Sequence, residues 1–340
     1  MKLRNATPLR TFICRSLLVV SAAVLLLACE QKEQTTFRIG VSPWPGYGIL
    51  SIAHEKGYFA EQGVSVEVVH FDEAEQLYQA FYNGSLDGIS GTLNEMITVR
   101  ENSPRSPQSF LVADFSNGAD RLLAREKIAT VAELKGKKVG VEFSAVGVYL
   151  VARALEKAGL TLDDIRLVNL PNDQLAEELA KGGEQGGVDA VAAYPPASTE
   201  IEAREDVGVL FTSQEIPGEI VDVVALDAEI IRNNRSRVEG IVTAFDKAVR
   251  FLHAHPEEAH QMIAKSEQMS VDEVRSTLAE LRVPNGCEQK AFFVPNGTLT
   301  EAVKTADLVM RRLNLISGPD RTVGMVSFGP IQTAMTHCDW

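Results

Sequence analysis

From Phe37 onward the chain alternates short, β-branched apolar runs with longer segments whose apolar residues recur every three or four positions. The short runs fit strands and the longer segments fit amphipathic helices. FRIGVS predicts a strand, and YGILSIAHEKGYFAEQG a helix that Gly63 ends. VSVEVVHF predicts the next strand, followed by a helix from Asp72 to Tyr82 with Asp72 and Glu75 at capping-box spacing. LDGISG, a helix opened by Thr92-Leu93-Asn94-Glu95, and SFLVADFS continue the series. The pattern then restarts: Thr130-Val131-Ala132-Glu133 caps a short helix, KKVGVEF is a strand, and Val146 to Gly159 is a helix. IRLVNL, a helix from Asp173, and VDAVAAY complete a second, smaller set. After Pro217 the strand-like VDVVAL appears, and beyond Ile230 the pattern is helical. Strands alternating with helices imply βαβ units, hence an α/β fold with mostly parallel sheets, and two sets imply two lobes.

The first residues belong to a different class of sequence. Lys2, Arg4, Arg10 and Arg15 precede an uncharged run from Leu17 to Ala28 that is short for a bilayer span. A basic stretch followed by a short apolar one reads as a signal peptide over residues 1–28. Its end, Leu26-Leu27-Ala28-Cys29, resembles the bacterial lipoprotein signal, which implies lipidation of Cys29 and a flexible tether over residues 29–36. The expected location is the periplasmic side of a bacterial membrane. Loss of residues 1–28, which carry four Lys/Arg and no Asp/Glu, takes the formal charge of the 340-residue chain from −13 to −17. So acidic a body argues against nucleic acid or anionic lipid as a partner. Cys287 and Cys338 remain in an oxidising compartment, where they either pair or stay as separate buried thiols.

FRIGVSPWPGYGILSIAHEKGYFAEQGVSVEVV, LDGISGTLNEMI, ADFSNGADRLLAR, VAELKGKKVGVEF and VDAVAAYPPA, in this order, resemble the substrate-binding proteins of ABC importers for nitrate, sulfonates, taurine and thiamine-precursor pyrimidines. The resemblance spans nearly all of the mature chain. It implies a two-lobed periplasmic-binding-protein fold of type II, with residues 37–121 plus 222–340 forming one lobe and 122–221 the other. The two crossings near Asp120-Arg121 and Asp222 would then form the hinge. It also implies a small-molecule ligand, an ABC permease with its ATPase as partner, and a monomer.

In open α/β sheets ligands bind beyond the carboxyl ends of the strands. That rule places Ser42-Pro43-Trp44-Pro45-Gly46 at the cleft, where the prolines stiffen the loop and Trp44, with Tyr47 beside it in sequence, can wall a ligand site. Thr92 and Asn94 open a helix whose unpaired N–H groups would favour an anion, and Ser144 holds the analogous place in the second set. Each is equally a capping residue. Ser116, Asn117 and Asp120 lie next to the hinge, and Asp120, Glu142 and Asp222 fall at strand ends or crossings, where carboxylates suit a ligand bearing an amine. Tyr194 precedes Pro195-Pro196 where the resemblance implies a ligand-facing aromatic.

HAHPEEAH invites a metal reading, but Pro256, Glu257 and Glu258 fit the first turn of a helix better. The chain contains no G-x-S-x-G, G-x-x-x-x-G-K-[ST], H-E-x-x-H or C-x-x-C. The function that the resemblance and the lipoprotein-like N-terminus imply is a lipid-anchored solute-binding protein with no cofactor and no metal, not an enzyme. A ligand sensor facing a membrane receptor remains an alternative, and an enzyme on the same fold a weaker one. A zwitterion such as an aminosulfonate and a nitrogenous heterocycle both fit the site residues.

Overall fold

The structure, a computed structural model, describes residues 36–338. The signal segment, the lipidation site Cys29 and the tether up to Thr35 lie outside the described residues. The strands are β1 (Phe37–Val41), β2 (Val66–His70), β3 (Gly88–Thr92), β4 (Pro107–Ser116), β5 (Arg121–Arg125), β6 (Lys138–Val141), β7 (Arg166–Asn169), β8 (Ala190–Ala193), β9 (Val207–Thr212), β10 (Val221–Asp227) and β11 (Leu281–Arg282). They form a six-stranded sheet in the order β11-β4-β10-β3-β1-β2 and a five-stranded sheet in the order β7-β6-β8-β5-β9. The helices that matter for the site are α1 (Gly48–Glu55), α2 (Tyr58–Glu61), α3 (Ala74–Tyr82), α4 (Leu93–Asn102) and α5 (Gly147–Lys157).

The α/β character and the two separate sheets agree with the alternating pattern. β3 and β10 are buried along their whole length, as central strands covered on both faces must be. In the same core Ile39, Ile49, Ile89 and Phe245 are fully buried, each contributing about 1.5–3 kcal/mol relative to exposure.

The sheets are mixed, which corrects the expectation of mostly parallel pairing. β1 pairs in parallel with β2 and β3, and β6 with β7 and β8. β10, however, is antiparallel to both β3 and β4, and β5 to both β8 and β9. These two strands follow the passages between sheets, β5 after residues 117–120 and β10 after residues 213–220, so each enters its sheet against the local direction. Arg121 thus begins a strand of the second sheet, and Asp222 lies inside a strand of the first.

Three local expectations also change. The single helix ending at Gly63 is split into α1 and α2 by Gly57, which takes a left-handed conformation (φ 73°) that glycine adopts without strain. The Asp72/Glu75 capping box does not form, because α3 begins at Ala74 and its first N–H finds a partner elsewhere, described below. β5 and β9 carry no separate signal: RLLAR has charged ends and helix-forming residues, and only pairing with β8 and β9 makes it a strand. Cys287 and Cys338 are joined by a disulfide with Cα atoms 5.4 Å apart, tying the helix Gly286–Phe292 to the last described residue.

Candidate ligand-binding site

β1 and β3 run in parallel toward the same edge, β1 ending at Val41 and β3 continuing two residues beyond that level to Thr92. Because β10 arrives from the other sheet in the opposite sense, its first residues stand beside those ends. In register, Asp222 lies opposite Thr92 on one side and Asp114 of β4 on the other. Two carboxyls directly opposed across a strand pair would repel if both were ionised, so the row holds together only with at least one of them protonated.

The loop after β1 is built onto that row. Trp44 donates its indole Nε1–H to Asp114 Oδ2 (3.0 Å) and its backbone N–H to Glu267 Oε2 (3.2 Å). A Cβ on Gly46 would come within 1.8 Å of Asp114 Oδ2, so only glycine lets the loop lie against the carboxyl. Backbone bonds from Tyr47 N–H to the Trp44 carbonyl (3.0 Å) and from Gly48 N–H to the Pro45 carbonyl (3.2 Å) close the turn. The Tyr47 hydroxyl donates to Asp222 Oδ1 at 2.5 Å. Trp44 is buried and stands edge-on to Tyr194, with ring centroids 6.2 Å apart.

These groups surround a small cavity of about 30 Å³ between the two sheets. Trp44, Tyr47, Thr92, Asp120, Tyr194 and Asp222 line it, as do Ser42, Pro43, Ala74, Glu95, Ala145 and Val146. Glu142 reaches it through Tyr194, whose hydroxyl donates to Glu142 Oε2 (2.9 Å). Glu142 Oε1 accepts the Ala74 N–H (3.0 Å), so a residue following the second sheet's β6 satisfies the start of α3 beside the first sheet.

The remaining expected residues are placed elsewhere. Ser144 donates to Glu142 Oε1 (3.4 Å) and does not cap α5, which begins at Gly147 after Val146. Ser116 shares a hydrogen bond with Ser213 (2.8 Å), and the Asn117 N–H bonds to the Glu280 carbonyl (2.9 Å). Both belong to the crossings and not to the cavity wall. Asn94 is buried next to the Tyr149 hydroxyl, outside the lining.

The anion-favouring helix start at Thr92 is already filled. Thr92 N–H donates to Glu95 Oε2 (2.6 Å) and Glu95 N–H to Thr92 Oγ1 (3.2 Å), so the capping box forms and a fixed carboxylate occupies the positive end of α4. Burial pushes Glu95 up to about 7 against its bonds from Thr92 and Tyr78. It likewise raises Asp120 to about 6 and Glu267 to about 7. Burial and then the Asp114 charge drive Asp222 well above the ordinary aspartate range, and burial raises Asp114. Burial raises Glu142 as well. Arg121, adjacent to Asp120, is engaged with Glu280 (2.5 Å) and Glu202 (3.3 Å). The site is a protonatable, acidic pocket with aromatic walls, and its lining includes no Lys, Arg or His among the described residues.

Sequence reasoning missed Glu95 as a lining residue, Asp114 and Glu267. Asp114 had a signal: a lone carboxylate inside the otherwise apolar SFLVADFS. Glu267 ends a helix far along the chain and had none. At HAHPEEAH the helix Pro256–Glu267 starts with Pro at its first position and Glu257 and Glu258 in its first turn, as expected. Cys287, His337 and Cys338 converge, but the two sulfurs are bonded to each other.

A model of the NMT1-like family matches residues 30–266. A putative binding protein of Brucella abortus (strain 2308) is 28% identical over 265 residues, covering 75% of this chain and 78% of that protein. A putative thiamine biosynthesis protein of Haemophilus influenzae is 24% identical over 250 residues, covering 73% and 78%. The periplasmic aliphatic sulphonate binding protein SsuA from Escherichia coli superposes with a TM-score of 0.68 at 20% identity, over 86% of this chain and 92% of that one. The desulfurization enzyme DSZB also shares the fold, with a TM-score of 0.65 at 14% identity over 89% and 99%.

Proposed function

The chain belongs to the NMT1-like family, and on that premise we propose that it is an extracytoplasmic solute-binding protein that encloses a small polar solute and hands it to an ABC permease. The observation that carries this reading is the cavity itself. It lies at the carboxyl ends of β1 and β3 in one sheet and beyond β6 and β8 in the other, where α/β folds hold ligands. We assign residues 37–121 plus 222–340 to one lobe and 122–221 to the other. The crossings at residues 117–120 and 213–220, joined by Ser116 and Ser213, act as the hinge. Residues 1–28 act as a signal, and lipid on Cys29 holds the body at the periplasmic face of the membrane. The ligand residues are Trp44, Tyr47, Thr92, Asp120, Tyr194 and Asp222, with Glu142 as the contact that holds the lobes together.

The names of the relatives point to nitrogen- and sulfur-containing solutes, and a binding role fits the wall better than catalysis. Ser42 and Thr92 are lining hydroxyls with no His or Cys among the described lining residues to activate them. The test is a thermal-shift screen of the mature protein against sulfonates, taurine, nitrate, amines, amino acids and pyrimidines. A solute at about 100 times its Kd stabilises the folded state by about 2.7 kcal/mol, a shift of a few degrees. Small-angle scattering with a hit should show no expansion. No shift with any solute, together with no small molecule carried through purification, would overturn the reading.

A further inference from the structure

The relatives' names leave the charge of the solute open, and the cavity wall answers it. We propose that the solute carries a protonated nitrogen bearing N–H groups, an ammonium or amidinium, that docks on Asp222 and Asp120, the two unpartnered carboxyls that line the cavity, and that anions without such a group are rejected. The inference rests on the solute-binding reading and deepens it.

Three carboxyls carry the argument. Asp114, Asp120 and Asp222 are 0%, 3% and 3% exposed. Among the described residues, Asp114 Oδ1, Asp120 Oδ2 and Asp222 Oδ2 receive no hydrogen bond from any N–H or hydroxyl. A buried carboxylate oxygen without a donor is costly, and the fold keeps three close together when one substitution would remove each. Asp114 and Asp222 face each other and can share one proton in the free protein, but Asp120 and Asp222 also line the cavity, where an entering N–H cation can supply donors and favour their ionised form. An N–H cation supplies donors and charge in one group, in the arrangement that gives the strongest hydrogen bonds. The Trp44, Tyr47 and Tyr194 rings around the same space add faces that attract cations.

An anion finds the reverse. The start of α4, which would stabilise it, already holds the Glu95 carboxylate. The start of α5 reaches the cavity through Ala145 and Val146 and can face the acidic end of a zwitterion. Zwitterions are therefore admitted, and lone anions are not.

Matched pairs separate the charge of the solute from its shape. Calorimetric titration of the mature protein at pH 7.5 compares taurine with ethanesulfonate, and acetamidinium with acetate. In each pair the nitrogen-bearing probe should bind at least tenfold more tightly, about 1.4 kcal/mol. Asp222→Asn keeps the shape and an acceptor for Tyr47. It should remove that preference without lowering the melting temperature of the free protein, a result that a merely structural aspartate would not give. An anion that binds as well as its nitrogen-bearing match overturns the inference and leaves the solute-binding reading standing. If neither pair binds, native mass spectrometry of the protein from its source decides. A carried molecule with a basic nitrogen supports the inference and one without overturns it, and the absence of any molecule overturns both claims.

Discussion

The two walls of the cavity differ in kind. On the first-sheet side the polar groups sit on central strands or the first turn of a helix: Asp114 in β4, Asp222 in β10 and Glu95 in α4, with Trp44 tied by both of its N–H groups. On the second-sheet side the wall is Ala145, Val146 and Tyr194, and both oxygens of Glu142 are committed, one to Tyr194 and one to Ala74. In the proposed role the first wall is a fixed, acidic surface that would select, and the second a nearly neutral cover that would close. Buried charge needs rigid support to hold its geometry. On the proposed hinge, the lobe of the second sheet would carry contacts that can break without stranding a charge.

The comparison breaks most visibly at Trp44. Trp44→Ala removes a buried indole from the selecting wall and leaves Asp114 Oδ2 without its donor, an expected loss of about 3–5 kcal/mol in stability. Urea denaturation measures it as a lower midpoint, and solute affinity should fall at least tenfold. Trp44→Phe sharpens the point, because it keeps most of the ring area and removes only the N–H, at about 1–3 kcal/mol. An unchanged urea midpoint for Trp44→Ala would show that the loop is not a preorganised wall.

Next in size is the response to pH, which arises almost entirely on the selecting side. Glu95, Asp120 and Glu267 are held near 7, 6 and 7, above the values of about 4 that they take when unfolded. A carboxyl raised in the folded state binds more protons there than in the unfolded chain, so stability falls as pH rises. The loss should run from about pH 4 to about pH 7 and appear as a melting temperature several degrees lower at pH 7.5 than at pH 5. Depressed carboxyls such as Asp164 and Asp320 have their effect below that window. Asp222→Asn should flatten the slope, and a bound cation should flatten it too by favouring the ionised cluster. A melting temperature that climbs from pH 5 to 7.5 would contradict the assignment of buried, protonated carboxyls.

The same contrast explains what the sequence made legible. The βα alternation, the strands β1, β2, β3 and β4, and the cleft position of Trp44, Tyr47 and Thr92 follow from local periodicity and from the rule about strand ends, whereas Tyr194, and the crossings that single out Asp120 and Asp222, come from the family resemblance. The mixed pairing does not follow from local periodicity, because the direction in which β10 enters depends on where the chain goes between residues 117 and 220. Asp114 illustrates the consequence. Its identity is visible within SFLVADFS, but its role depends on facing Asp222 across a strand that returns from the other sheet. Ser116 and Asn117 mislead for the opposite reason: their turn-like composition marks the crossing, and nothing local reports that Ser213 faces it. Helix starts mislead as well. Asp72 and Glu75 have the same spacing as Thr92 and Glu95, yet only the second pair forms a box, because Glu142 supplies the bond at α3 from the far lobe.

The smallest expected effect tests the cover. Two of the hydrogen bonds that Glu142 accepts bear on closure, one from Ala74 N–H across the cleft and one from the Tyr194 hydroxyl within its own wall, beside a third from the neighbouring Ser144 hydroxyl. If it closes the lobes and takes no part in selection, Glu142→Ala should release both donors to water as the lobes part. The change should favour opening by about 1–3 kcal/mol and leave global stability nearly unchanged. Small-angle scattering of the free variant should give a larger radius of gyration than wild type. Solute affinity should fall by the opening penalty alone, equally for every solute, because the charge-reading residues are untouched. Tyr194→Phe, which removes only the hydrogen bond within the wall, should leave the radius unchanged. A Glu142→Ala variant that alters the ranking of solutes would move this carboxylate from the cover to the selecting wall and end the division drawn between them.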